Sequence, residues 1–316
     1  MSRQQNKNPI DLEADAPDRK IGFYLMLIII LSTFFYVRQQ PHQNLAGKEI
    51  DLNSIQQKNN ETTKWNLPND QLLGFVLIPA GTFLMGSNPT IGKMAYANER
   101  WSPSARQGKP TLDDFYINKF EVTNAQFALF MDQNPDSHES QKTRDQKPVT
   151  NVSWAQALNY STWLDNELRN NAGTPDQLAK FLSMGARISL PNEAQWEKAA
   201  RGTDGRIFPW GNQSSNLFAN FDNKSVMDVG AYACVECANG LNDMAGNAWE
   251  MTLSPLTSYP FVSKRTLNIE EAQPLLVMRG GGYNDAANNI RTAVRGGVGP
   301  GSPSPLIGFR IAITKK

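Results

Sequence analysis

The chain has 316 residues, 40% of them hydrophobic and 19% charged, with 23 glycines and 19 prolines. These values are typical of a globular chain rich in turns and exclude a wholly disordered protein. Lysine and arginine total 31 against 30 acidic residues, without a basic run interleaved with aromatics, so nucleic acid is not an expected partner, and two histidines exclude a multi-histidine metal site.

Residues 21–37 form an apolar segment without a charged side chain. As a helix it is about 25 Å long, just enough to cross the hydrocarbon of a bilayer. Arg19 and Lys20 precede it, which favours a cytoplasmic location for residues 1–20. No small-x-small cleavage pattern follows, so we predict a single-pass anchor in the inner (cytoplasmic) membrane, with the remainder in the periplasm. A cleaved signal peptide and a buried core helix are the alternatives.

Residues 38–73 are polar, rich in Gln and Asn, and without sustained periodicity. This composition predicts a flexible linker. A folded domain is predicted over residues 74–316. It opens with two short apolar runs separated by Pro79, Ala80 and Gly81, a pattern typical of a β-hairpin.

Three helices are predicted by one capping pattern, in which Ser, Thr or Asn is followed three residues later by Gln. The caps are Thr123, Ser153 and Asn192. Apolar residues recur at helical spacing after each cap, so we interpret their aromatic residues as core packing. Gly202 is placed to end the third helix. Beyond it the sequence predicts only short strands and loops dense in Gly, Asn and Pro.

Eight blocks of the chain together resemble the formylglycine-generating enzyme (sulfatase-modifying factor) family. In order, they read IPAGTFLMGS, DDFYINKFEVTNAQF, PVTNVSWAQALNYSTWL, ARISLPNEAQWEKAARG, FPWGN, GLNDMAGNAWEMT, RGGGY and GFRIA. The resemblance covers about three quarters of the chain and leaves out the N-terminal segment. It implies an α+β fold, a single domain with little regular secondary structure that is related to the C-type-lectin-like fold, stabilised by bound Ca²⁺.

Calcium takes six to eight oxygen ligands, many of them backbone carbonyls, so its loops need tight backbone and one or two carboxylates. The block GLNDMAGNAWEMT has this composition. The resemblance implies one ion bound by Ala245, Gly246, Ala248 and Glu250. It implies a second at Asn220 and Phe221, with Asp222 or Asp228 as the carboxylate. For Glu250 alone, the alternative is a surface salt bridge.

The chemistry of the family's enzymes is not expected here. Those enzymes carry two cysteines after the RGGS block whose thiolates bind Cu(I), a soft ion that needs soft ligands. In this chain residues 279–295 contain no cysteine, Gly282 replaces the serine, and Met251 replaces an aromatic residue. We therefore expect no copper and no formylglycine formation. The remaining polar residues that could act are Tyr283, Asn284, Asp285, Arg291 and Arg295, for which loop hydrogen bonding is the alternative.

Cys234 and Cys237 are the two cysteines of the chain, spaced C-x-x-C. The pair is too small for a structural zinc site, and the residues after it do not have a helical pattern. In an oxidising compartment a local disulfide that braces the loop before Gly240 is favoured. A redox role and Cu(I) binding remain open.

Two functions follow from these observations. The first is a membrane-anchored, non-catalytic accessory or maturation factor that binds a protein, peptide or glycan outside the cytoplasm. The second is an oxidative maturation enzyme acting on a periplasmic protein or a peptide-derived substrate. The second needs a source of redox chemistry that the side chains do not supply.

Overall fold

A computed structural model describes residues 64–87, 107–134, 143–257 and 275–315. The predicted cytoplasmic tail, the predicted membrane span at residues 21–37 and most of the predicted linker lie outside these ranges. Within them, no helix has both the length and the apolar character needed to span a membrane.

Four α-helices occur in the described part of the chain: α1 (Asn124–Gln133), α2 (Trp154–Arg169), α3 (Asp176–Ser183) and α4 (Glu193–Arg201). The three predicted helices are confirmed, since α1, α2 and α4 begin at the expected caps with both hydrogen bonds of the capping box. Gly202, at φ 67°, ends α4 as predicted. Helix α3 was not predicted, because Pro175 precedes it and supplies no side-chain cap.

The strands are short, as predicted for this sequence. They are β1 (Phe75–Ile78), β2 (Gly81–Thr82), β3 (Thr111–Leu112), β4 (Phe115–Asn118), β5 (Arg187–Ser189), β6 (Trp249–Pro255), β7 (Leu276–Arg279), β8 (Gly296–Val298), β9 (Ile307–Gly308) and β10 (Ala312–Thr314). One sheet has the order β1-β4-β10-β5, a second the order β8-β7-β6-β9, and β2 pairs with β3. Only the β6–β9 pair of the described strands is parallel.

The predicted hairpin is wrong. β1 pairs along its length with β4, so that Phe75 lies opposite Asn118 and Ile78 opposite Phe115. β2 pairs with β3 instead of β1. The Pro-Ala-Gly sequence does turn the chain, but the partner of each strand is decided by burial against distant segments.

The predicted linker ends too late. Trp65, Leu67 and Leu73 are buried in the main hydrophobic core. The indole nitrogen of Trp65 also donates to Glu167 at 3.1 Å, which fixes it against α2. The folded domain therefore includes residues 64–73, because three apolar residues in a polar stretch pack into the core without showing a periodic pattern.

An aromatic cluster joins α1 and α2 to the segment before β10. The ring of Tyr160 lies within 6 Å of four other rings: Phe127 at 5.8 Å, Phe130 at 5.9 Å, Trp163 at 5.6 Å and Phe309 at 5.6 Å. Its hydroxyl is buried and has no hydrogen-bond partner among the described residues. A buried hydroxyl without a partner lowers stability, because it lost its water on folding.

We expect Tyr160→Phe to raise the free energy of unfolding by about 1 kcal/mol, because it removes a desolvated hydroxyl and keeps the ring. Tyr116→Phe is the matched control, since the Tyr116 hydroxyl accepts a hydrogen bond from Gln177 at 2.7 Å. That change should lower the free energy of unfolding. Urea denaturation of the two variants measures both effects, and a loss of stability in Tyr160→Phe would contradict the expectation.

Candidate functional site

A buried ion pair holds the centre of the domain. Both carboxylate oxygens of Glu250, on β6, accept hydrogen bonds from Arg310 at 2.6 Å, and both side chains are fully buried. The indole nitrogen of Trp196 donates to the same carboxylate at 2.7 Å. Arg310 also donates to the carbonyls of Asn118 and Asn242, each at 3.1 Å. The Glu250 carboxylate is therefore fully engaged with protein donors, in a buried ion pair and not in a surface salt bridge.

The turn before Glu250 is held by a second buried carboxylate. Glu121 accepts from the backbone N–H of Ala248 at 3.0 Å and from the side-chain amide of Asn247 at 2.8 Å. Asn247 adopts φ 61°, and its N–H donates to the carbonyl of Asn220 at 2.8 Å. A Cβ on Gly246 would lie 2.2 Å from that same carbonyl oxygen, so only glycine fits there.

Negative charge is in excess in this region. Among the described residues, the carboxylates of Glu121, Asp243 and Glu250 all interact electrostatically with the guanidinium of Arg310. Burial, reinforced by repulsion from Asp243 and Glu250, raises the pKa of Glu121 well above its usual range. Burial likewise raises the pKa of Asp243 to about 6, although it accepts a 2.7 Å hydrogen bond from the N–H of Gly230.

Beside this cluster, Trp249 has a half-buried side chain that packs partly against the main hydrophobic core. Its nitrogen donates to Asp285 at 2.8 Å. The ring lies against two glycines, since a Cβ on Gly282 would be 3.3 Å, and one on Gly296 3.2 Å, from ring atoms. Glycine at position 282 therefore leaves room for close contact with the indole ring.

The polar residues of the remodelled segment are used to hold the loop. Asp285 accepts from Trp249, from the N–H of Gly282 at 2.8 Å and from Asn289 at 3.1 Å. The N–H of Tyr283 donates to the carbonyl of Asn247 at 2.8 Å.

The arginines of this segment are structural as well. Arg295 forms a two-bond pair with Glu193 and also donates to the carbonyl of Thr257 at 2.9 Å. Arg291 is buried and donates to the carbonyl of Asn288 at 2.9 Å. Together these contacts favour the interpretation of the segment as a hydrogen-bonded scaffold.

The second predicted calcium loop has a different character. Asn220 is buried, and its side chain is bonded to Ser225, Asn247 and Asn223. Phe221 is buried in a small apolar cluster with Phe208 and Ile290. Asp222 and Asp228 are exposed, and neither carboxylate takes part in a hydrogen bond or ion pair within the described part of the chain.

Calcium therefore fits the two loops unequally. The first offers buried carbonyls at Ala245, Gly246 and Ala248, but the Glu250 carboxylate does not fit as a ligand while Arg310 holds it. The second offers two accessible carboxylates. Over residues 64–87, 107–134, 143–257 and 275–315, no group of three His, Cys, Asp or Glu side chains is placed to hold a metal ion.

Cys234 and Cys237, for which the sequence favours a local disulfide, are joined by one. The N–H of Ala238, directly after the pair, donates to the carbonyl of Pro209 at 2.9 Å. The disulfide loop is thereby attached to the turn that contains Pro209.

Three residues that organise the site were not predicted as such: Glu121, Asp243 and Arg310. Each lies within a block that carried the family resemblance, so the signal was present in the sequence. What the blocks do not show is that residues from three distant blocks converge in one buried cluster. That convergence is a property of the tertiary fold.

Comparison with known proteins agrees with this architecture. The profile of the Sulfatase-modifying factor enzyme 1-like domain matches residues 61–315. The inactive C-alpha-formylglycine-generating enzyme 2 of Bos taurus is 26% identical over 301 residues, which cover 79% of this chain and 91% of that protein. The serine/threonine-protein kinase Pkn1 of Chlamydia trachomatis is 26% identical over 306 residues, covering 86% of this chain but 43% of the kinase. The chain thus spans less than half of the kinase's length.

Among solved structures, Treponema denticola variable protein 1 is similar, with a TM-score of 0.56 and 23% sequence identity. The match covers 75% of this chain and 94% of that protein. At this level of identity the likeness shows the fold alone. A mixed helix and sheet fold of this type is thereby confirmed for the domain.

Stability should fall as pH rises through the titration of Asp243. The pKa of Asp243 is about 6 in the folded domain, against about 3.9 for an unfolded aspartate. The folded state therefore binds more protons in this window, so the contribution of the Asp243 proton to stability is fully present below about pH 4 and is lost as pH rises through about 6.

We expect Asp243→Asn to flatten this pH dependence and to raise the free energy of unfolding at pH 8, since Asn keeps an acceptor for Gly230. Urea denaturation at several pH values, with EGTA present to remove divalent cations, makes the measurement. Asp114→Asn is the control, because Asp114 forms a surface pair with Lys315 at 2.8 Å. A pH profile unchanged by Asp243→Asn would contradict the assignment.

Proposed function

The chain belongs to the Sulfatase-modifying factor enzyme 1-like domain family, and from this premise we propose that it is a non-catalytic accessory or maturation factor that binds a ligand or partner. The observation that carries the proposal is the set of hydrogen bonds that the Asp285 carboxylate accepts. This carboxylate accepts from Trp249, Gly282 and Asn289, so the segment in which the family resemblance implies copper-binding cysteines acts here as a clamp on a half-buried indole ring.

A fixed aromatic ring on a rigid strand is well suited to binding. Trp249 begins β6, whose next residue is held by the Glu250–Arg310 pair, so the ring loses little conformational freedom when a ligand covers it. Tryptophan is also enriched among the residues that dominate binding energy at interfaces. A protein, peptide or glycan partner would use this ring as its central contact.

The partner is placed outside the cytoplasm in this proposal. The apolar, uncharged segment at residues 21–37 and the basic residues Arg19 and Lys20 before it support a single-pass inner-membrane anchor. The Cys234–Cys237 disulfide agrees with an oxidising compartment such as the periplasm.

Calcium remains part of the proposal as a structural ion. Asp222 and Asp228 support it, since exposed carboxylates on a tight loop are the ligands that Ca²⁺ prefers. In the first loop an ion would depend on the carbonyls of Ala245, Gly246 and Ala248. Bound there or at the second loop, it would brace the turn that precedes Trp249.

To test binding, immobilised full-length chain is used to select from a library of random peptides displayed on phage. We expect enriched peptides whose affinity falls about 30-fold or more in Trp249→Ala, the loss typical of a central aromatic contact. Trp163→Ala is the matched control, because Trp163 is a half-buried tryptophan on α2 whose nitrogen donates to Gln133 at 3.1 Å.

Equal affinity of the two variants for the enriched peptides, or no enrichment, would contradict the binding proposal at this site. The same full-length preparation is incubated with Cu(I), oxygen and a sulfatase-type cysteine peptide, and the product is examined by mass spectrometry. We expect no formylglycine. Its formation would overturn the non-catalytic proposal.

For calcium, we expect EGTA to lower the thermal midpoint of the chain and added Ca²⁺ to restore it, because a ligand bound only by the folded state raises stability. The double change Asp222→Asn and Asp228→Asn should reduce the difference between the two conditions. Glu236→Gln, which removes an exposed carboxylate of the disulfide loop, is the control. Identical midpoints with and without EGTA in the unmodified chain would rule calcium out.

A further inference from the structure

Away from Trp249, two neighbouring loops expose apolar side chains that the fold does not use. Leu217 is 78% exposed and Val235 is 90% exposed, the two highest values among the exposed large hydrophobic residues of the described chain. Trp210 and Phe218, half-buried, have ring centres 5.7 Å apart. We call these four residues the apolar ledge.

The first loop of the ledge is rigid. Phe208 and Gly211 exchange backbone hydrogen bonds of 2.8 and 3.1 Å, which closes a tight turn with Trp210 near its tip. The indole nitrogen of Trp210 donates to the carbonyl of Gln213 at 2.7 Å. Beneath it, the buried ring of Phe208 is stacked at 5.4 Å. Trp210 is therefore held in place by its own loop.

The second loop is attached to the first. Arg206 donates to the carbonyls of Pro209, at 2.9 Å, and Glu236, at 3.1 Å. The Cys234–Cys237 disulfide closes the loop that contains Val235. Both parts of the ledge are thus tied to the turn that contains Pro209.

Charge is absent from the first loop. Between Arg206 and Asp222 the sequence has no charged residue. Isolated exposed apolar residues are common on protein surfaces, but here two highly exposed aliphatic residues lie on two joined, constrained loops, one of which also carries a pair of half-buried aromatic rings. Aromatic rings with a polar edge and exposed aliphatic side chains are the combination found where a protein enters the interface of a bilayer.

The short length of chain between the predicted anchor and the first described residue favours a bilayer as the partner of the apolar ledge. From the end of the predicted anchor at Val37, 26 residues lead to Lys64, the first described residue. Such a segment reaches at most about 94 Å when fully extended, and about 30 Å on average as a random coil. A domain tethered this closely meets the membrane at a high effective concentration, so a small apolar contact is sufficient.

We propose that the apolar ledge inserts into the interface of the membrane that anchors the chain, and so orients the domain on the bilayer. The proposal rests on the proposed anchor at residues 21–37. It assigns the ledge a lipid surface as its partner and leaves the indole ring of Trp249 for a separate ligand.

The test uses full-length chain reconstituted into vesicles of mixed phosphatidylcholine and phosphatidylglycerol. Both native cysteines are joined in the disulfide, so Leu217→Cys adds one free thiol for an environment-sensitive NBD label. We expect the label to shift its emission to shorter wavelength and to be quenched by lipids that carry a doxyl group. A label at Met184→Cys, on a residue that is 61% exposed at the end of α3, should stay in an aqueous environment.

A second change examines the other loop. Val235→Asp, combined with the label at position 217, should lower the ratio of inserted to free label about tenfold or more. The reason is that an aliphatic side chain that inserts into the bilayer interface is replaced by a charged one. Met184→Asp in the same labelled chain is the matched control and should leave the ratio unchanged. Equal effects of the two substitutions would overturn the proposal.

Extraction of the vesicles with alkaline carbonate separates failure of the ledge from failure of the anchor. If the chain resists extraction and the label at position 217 stays aqueous, the ledge proposal is wrong while the anchor stands. If the chain is extracted, the anchor is wrong, and the ledge is then tested by sedimentation of the free chain with the same vesicles. Sedimentation that Val235→Asp abolishes supports the ledge proposal. Absence of sedimentation overturns the ledge proposal. A spectral shift that follows protein concentration without lipid would indicate a second copy as the partner and would also overturn it.

Discussion

The domain depends on one buried ion pair, between Glu250 and Arg310. Arg310 lies near the C-terminal end of the described chain. Its guanidinium also donates to the carbonyl of Asn118, at the end of β4, and to that of Asn242, before the turn at residues 245–248. Loss of either partner would leave an uncompensated buried charge, which costs about 3–5 kcal/mol. Because β6 is positioned by this pair, the site that begins at Trp249 depends on an interaction between residues 60 positions apart in the sequence.

The charge of the same cluster bears on the Ca²⁺ ion that the family resemblance implies. Glu121 and Asp243 bring negative charge that Arg310, already paired with Glu250, does not balance. Protonation and a nearby cation are two ways to reduce the repulsion, since both act on carboxylates forced together in a low dielectric. Both oxygens of Glu250 accept hydrogen bonds from Arg310, and the role of this carboxylate as a calcium ligand stays a prediction.

The polar residues of the segment that follows β7 have a mechanical role. Asp285 locks the ring of Trp249, and Gly282 allows the ring to lie against the backbone. A site built this way presents a rigid aromatic surface, and rigidity favours affinity because little freedom is lost on binding. In the proposed arrangement, Trp249 and the apolar ledge serve different partners, one a ligand and the other a lipid surface.

The sequence by itself determined the three capped helices, the family and the shortness of the strands, since capping boxes and turn residues act over three or four neighbouring positions. It also contained Glu121 and Arg310, within recognisable blocks, without indicating that they meet. Only the tertiary structure decided which strand pairs with β1, that Trp65 belongs to the core, and that Glu250 faces a guanidinium. These outcomes depend on contacts between residues far apart in the chain, whose free energy of burial outweighs the local preferences that a sequence pattern records.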